Sequence, residues 1–150
     1  MTPFVPEHVE RAHALVVQRP VAQAVLLFTP EGERAWAAGW NPQYRHPADG
    51  SLQRGMVFTT GSGEEHTIWT VLRCDTDDGI MEYVRTTPAS RTGTVLVQCS
   101  GLDATRTRVT VVYSLTALTE SGNAILRELT EAKFREFIAS WEDAIARIGT

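Results

Sequence analysis

The chain has 150 residues, 43% of them hydrophobic and 21% charged, which suits one domain (residues 1–150) able to bury a core and still enclose a pocket. No apolar run approaches the roughly 20 residues of a membrane helix. A net charge of -4, with the 14 Lys and Arg scattered rather than gathered into a stripe, argues against nucleic acid as a partner.

The opening MTPFVPEHVERAH has neither the basic nor the continuous apolar stretch of a secretion signal, so the chain reads as cytoplasmic. VERAHALVVQ (9–18) has the valine-rich pattern of a first strand, halted at Arg19-Pro20 because proline cannot continue a central ladder. Apolar residues at 21, 25 and 28 then predict a helix of barely two turns. Thr29-Pro30-Glu31 restarts helix, with a capping threonine, a proline suited to a first turn and a glutamate at the positive helix end. Gly39 and Asn41-Pro42 end it.

Strand-like runs follow: YRHP, SLQRGMVFTT, GSGEEHTIWTVLRCD, DDGIMEYVRTTP, SRTGTVLVQCSGL and DATRTRVTVVYSLTAL. The turn signals Gly61-Ser62-Gly63, Asp77-Asp78-Gly79 and Gly101-Leu102-Asp103 are short, which implies antiparallel neighbours. Val95, Val97 and Cys99 share one face, and Val109, Val111, Tyr113 and Leu115 share another; both faces should point to the core. The last segment, from Thr119, carries Ile125, Leu129, Phe134, Phe137, Ile138, Trp141, Ile145 and Ile148, mostly three or four apart. It predicts one long amphipathic helix of about 28 residues, about 42 Å in length.

The order strand, two short helices, about six antiparallel strands and a long C-terminal helix, with LFTPEGERAWAAGWNP, EEHTIWTVLRCD, EYVRTTPASRTGTV and ALTESGNAILRELTEAKFREFIASWEDAI, resembles the START-like, polyketide cyclase or SRPBCC superfamily, the Bet v 1-like fold. The resemblance implies an α+β helix-grip fold: a curved antiparallel sheet of about seven strands wrapped around the C-terminal helix, with two short helices after the first strand. It implies a mostly apolar cavity between sheet and helix, closed at one end by the short helices. Lipid-binding domains, aromatic polyketide cyclases, oxygenase subunits, hormone receptors and chaperone activators all share this fold, so none of their functions transfers on likeness alone.

No nucleophile elbow, Walker loop or dinucleotide fingerprint occurs in the sequence. The four histidines, His8, His13, His46 and His66, form no ligand set with a carboxylate, and no metal or cofactor is expected. Cys74 and Cys99 lack metal or redox spacing and read as buried free thiols.

What remains are polar and aromatic residues on strands and helices that would face the cavity. His66 and Trp69 are three apart on one strand and so face opposite ways; Trp69, in phase with Val71, is favoured for the interior, as ligand contact or as core. Glu82 and Tyr83 are neighbours with the same conflict. Inside a cavity Glu82 would act as general acid or base, but an exposed Glu82 with Tyr83 inside is the favoured phase. Arg85 and Arg91, flanking TTPAS, would anchor a polar head group at the mouth, or else stay solvated.

Tyr113 is in phase with the last strand's valines. Phe134, Phe137 and Trp141 would pack helix on sheet and reach ligand, and Trp40 would gate the opening or staple the flap. The leading expectation is a domain binding a small hydrophobic molecule: a lipid, a polyketide or an aromatic metabolite. The rivals are a cyclase or dehydratase using Glu82 and His66 with Tyr83 or Arg85, and an interaction module of the chaperone-activator kind. Homodimerisation through a sheet edge or the flap is left open by the sequence.

Overall fold

Side-chain alternation organises the sheet. Along Thr107–Ala117 every second residue is buried, from Val109 through Val111, Tyr113 and Leu115, and the neighbouring strand buries Val95, Val97 and Cys99 in the same phase. The computed structural model describes residues 3–148. Its strands are β1 (His8–Val17), β2 (Gln43–His46), β3 (Val57–Thr60), β4 (Thr67–Asp75), β5 (Ile80–Thr87), β6 (Arg91–Gly101) and β7 (Thr107–Ala117). They form one antiparallel sheet in the order β1-β7-β6-β5-β4-β3-β2.

A register shift between Val71 and Arg73 marks a bulge in β4. It falls beyond Trp69 and Val71, so the inward phase of those two and of Tyr83 opposite Val71 is preserved. Gly93 on β6 is required by close approach: a Cβ there would lie 1.8 Å from the Ser114 carbonyl oxygen.

The flap between β1 and β2 is shorter in helix than the sequence predicts. α1 (Val21–Ala24) runs into a 3-10 turn over Val25–Phe28, and the second expected helix is a single 3-10 turn, Gly32–Ala35. Thr29 supports the restart: its hydroxyl donates to the Leu26 carbonyl at 2.8 Å and accepts from the Gly32 amide at 3.0 Å. Gly39, at φ +73°, turns the chain out of the flap.

The C-terminal segment is two helices, not one: α2 (Glu120–Glu128) and α3 (Glu131–Arg147). The break has a local cause. Thr130 is extended and its hydroxyl caps the Lys133 amide at 3.2 Å, which starts a new helix. The carbonyl of Leu129, with no helical partner ahead of it, accepts from Arg11 Nε on β1 at 2.9 Å.

α3 buries Phe134, Ile138 and Ile145 and packs on β1. Glu142 on α3 also accepts the Val16 amide of β1 at 2.6 Å, and Asn123 on α2 accepts the Glu7 amide at 2.7 Å. His8 and His13 lie on β1. Among the described residues no helix is long and apolar enough to cross a membrane.

Candidate functional site

Between the sheet's inner face, the flap and α3 lies a cavity of about 520 Å³, within the usual range of small-molecule sites. The sheet contributes Trp69 from β4, Tyr83 and Arg85 from β5, Val95 and Val97 from β6, and Tyr113 from β7. Each is an every-second-residue position, so the pleat aims them together. The flap adds Glu33, Trp36, Ala37, Ala38 and Trp40, and α3 adds Phe137, Ser140, Trp141 and Ala144, with Asp143 and Arg147.

The aromatic wall is held by contacts among its own members. Trp36 meets Trp141 at 5.4 Å between ring centroids and Phe28 at 5.6 Å, while Trp40 meets Trp69 at 5.5 Å. Trp69 stacks flat on Phe58 at 5.8 Å and stands edge-on to Tyr83. Indole N–H groups fasten the flap: Trp36 donates to the Leu27 carbonyl at 2.8 Å and Trp40 to the Pro30 carbonyl at 2.9 Å. Tyr83 ties sheet to flap by donating its hydroxyl to the Phe28 carbonyl at 2.5 Å.

Four ionisable groups on this wall are perturbed, the Tyr83 phenol among them, whose pKa burial raises. Arg85 lies over the Trp69 ring at 5.2 Å and donates through one terminal nitrogen to Thr87 Oγ1 at 3.0 Å. Its Nε is buried without a partner, and loss of water lowers its pKa, with nearby Tyr113 acting in the opposite sense. Burial raises the Tyr113 phenol, with Arg85 pulling it back in part.

The Glu33 carboxyl makes no hydrogen bond or ion pair among the described residues, and burial among surrounding atoms drives its pKa well above the carboxylate range. Although Glu33 keeps some accessible surface, it borders the cavity, and a narrow recess solvates an ion far less than open water does. Its charge bears on both Tyr83 and Tyr113.

Of the residues singled out from sequence, Trp40, Trp69, Tyr83, Arg85, Tyr113, Phe137 and Trp141 border the cavity. Four others do not. Glu82 lies on the outer face, where its carboxylate pairs with Arg73 Nε at 3.1 Å, because its neighbour Tyr83 takes the inward phase. His66 ends a 3-10 turn, Gly63–Glu65, just before β4, and does not reach the cavity.

Arg91 is engaged with Glu65 at 2.9 and 3.3 Å and with Ser90 at 2.9 Å, a clamp between β6 and that turn which lowers the Glu65 pKa. Phe134 is fully buried against Tyr113 at 5.2 Å, in helix-to-sheet packing. Glu82 and His66, the two acid–base candidates from sequence, are therefore not brought together at the cavity.

Sequence reasoning missed Glu33, Trp36 and the polar end of α3. A signal for the first two was present, since 33, 36, 37 and 40 are spaced three, four and seven along the flap and share one face of a helical turn. Both cysteines are free; burial pushes the Cys99 thiol up to about 12, which keeps it protonated and inert. Among the described residues no three His, Cys, Asp or Glu side chains cluster as a metal site.

No family model and no curated protein matches the chain. Solved structures do. The Zhui aromatase/cyclase from Streptomyces sp. R1128 aligns at TM-score 0.61 and 17% identity, over 97% of this chain and 98% of that one. Norcoclaurine synthase from Thalictrum flavum, in complex with dopamine and hydroxybenzaldehyde, aligns at TM-score 0.64 and 8% identity, over 97% and 90%. A hypothetical protein from Helicobacter pylori aligns at TM-score 0.69 and 14% identity, over 95% and 88%.

At such identities the likeness is one of architecture, and it agrees with the curved seven-stranded sheet, the flap and the C-terminal helix. The chain has the helix-grip fold of the Bet v 1-like, START-like or SRPBCC proteins.

Proposed function

We propose that the chain binds a small, largely aromatic molecule in the cavity between sheet, flap and α3. The observation that carries this reading is the wall itself. Trp36, Trp40, Trp69, Trp141 and Phe137 surround about 520 Å³ of unfilled space, whereas a protein interior without a ligand to hold packs to near-crystalline density. The fold neighbours support the same reading, one of them having been solved with two small aromatic compounds bound.

The test is a titration with 1-anilinonaphthalene-8-sulfonate, followed by dye fluorescence, alongside native mass measurement before and after organic extraction. Ala144 faces the cavity from α3, and Ala144→Trp should fill it. Saturable dye binding that this substitution weakens about tenfold or more is expected. Equal binding by a folded Ala144→Trp variant, together with no extractable mass, would sink the reading.

A further inference from the structure

The sheet has a second face, turned away from the cavity, and its chemistry differs from that of a surface left to water. Every second residue of β5, β6 and β7 is turned inward, so the residues between them form rows on the outside. Strand pairing sets Val112 beside Leu96 in one row, and Ser114, Thr94, Val84 and Thr70 side by side in the next. Ile68 and Leu72, each 38% exposed, extend the face onto β4.

Charge is missing from the middle of this face. Among the described residues of β5, β6 and β7, over 80–86, 92–98 and 110–116, Glu82 is the one outward side chain that carries a charge, and Arg73 neutralises it at 3.1 Å. A solvated surface of ordinary composition carries roughly a quarter to a third charged side chains. Even the hydroxyls are partly spoken for, since Thr86 and Thr92 bond each other across the strands at 2.8 Å. Exposed charge resumes at the margin, with Glu10 on β1, Arg108 at one end of β7 and Asp75 at one end of β4. A neutral centre inside a charged rim is the anatomy of a protein interface.

We propose that a second copy of this chain docks on this outer face, sheet against sheet, about a two-fold axis near Thr94. Charge favours that occupant. Two copies, each of net charge -4, meet here without setting like charges against each other, whereas a strongly basic or acidic partner finds no free charge at the centre to pair with. Size favours it as well. The five strands β1 and β4 to β7, about 4.8 Å apart and about seven residues long at about 3.3 Å each, present roughly 550 Å² in projection. That is close to the roughly 600 Å² per partner at the lower end of specific interfaces, and the outward curvature of the sheet confines contact to the middle rows. The dimer is therefore a reversible one. The margins of the sheet offer less, because α3 packs along β1 and β2 is 4 residues long between Pro42 and Pro47.

β6 is the middle strand of these five, and Thr94 lies on it between Ser114 and Val84. In a two-fold interface a residue near the axis faces its own counterpart. A charge placed at Thr94 meets the same charge, and two variants of opposite charge meet as a pair.

Sedimentation equilibrium of the full chain, from about 1 µM to about 1 mM, reads the association. The mass is expected to climb from one chain towards two, with a dissociation constant of about 100 µM or tighter. Thr94→Glu and Thr94→Lys change an outward, partly exposed residue, and thermal melts confirm that both fold. Each alone should weaken association by about tenfold or more, and their equimolar mixture should recover most of that loss.

A single-chain mass at every concentration would overturn the dimer. Association unmoved by Thr94→Glu would overturn the outer face as its seat, and two weakened variants that fail to recover on mixing would overturn the two-fold arrangement. The cavity opens on the opposite side of the sheet, so dye binding should be the same in wild type and both variants, and the result stands apart from the cavity-binding reading.

Discussion

Replacing Tyr83 with phenylalanine isolates one atom that joins the sheet to the flap. The ring stays: its edge-on contacts with Trp69 at 5.8 Å and Phe58 at 6.2 Å need no hydroxyl. The loss is the 2.5 Å bond to the Phe28 carbonyl, which bridges 55 residues of sequence between two buried groups. Leaving a buried carbonyl without its donor costs about 1–3 kcal/mol, and for a domain of this size each kcal/mol lowers Tm by about 2–4 °C.

Urea unfolding followed by circular dichroism should show a lower midpoint at unchanged slope, the signature of lost stability rather than altered compactness. Amide exchange should locate the effect, with faster exchange over residues 25–37 than across the sheet. A midpoint within error of wild type, with flap exchange unaltered, would refute the idea that this bond fastens the flap.

Glu33→Gln should change how stability responds to pH. Because the folded-state pKa of Glu33 is raised, its contribution is intact at pH values below the ordinary carboxylate pKa and is lost as pH rises towards the folded pKa, by up to about 1.4 kcal/mol per pH unit. The variant should therefore gain on wild type as pH rises above about 4.5, as read by urea melts; a pH-independent difference would contradict the burial argument. Glu82→Gln removes an outer-face ion pair, so it should cost under about 1 kcal/mol and leave dye binding untouched. Thr130→Ala should cost about 1 kcal/mol by thermal melting, through the lost cap of α3. Gly122→Ala would place a Cβ 1.9 Å from the Ser90 carbonyl oxygen, and expression with no cooperative melt is the expected result.

The sheet was legible because alternation is strict where one face is buried. Val95, Val97, Val109, Val111 and Tyr113 announce their side by period alone, and the bulge in β4 falls where it cannot invert Trp69. The same period decides between Glu82 and Tyr83, since a buried carboxylate needs a partner and a tyrosine ring does not. The helix break was hidden because an apolar stripe continues through 129 and 134 on either side of it; only the cap at Thr130 and the Arg11 contact from β1 interrupt the helix, and the second of these is tertiary. Glu33 was missed for a related reason. A glutamate on a short charged turn reads as solvated until the surrounding tryptophans are assembled in three dimensions.

The bond from Val16 to Glu142 has a consequence for how this molecule meets others of its kind. β1 is an outer strand of the sheet, and an outer strand with free amides is a template on which further strands grow. Here a carboxylate from α3 already sits on one of those amides. A strand approaching this margin must displace a charged acceptor and strip it of a partner before it gains its own first bond, so the helix that bounds the cavity also guards the sheet against lateral aggregation.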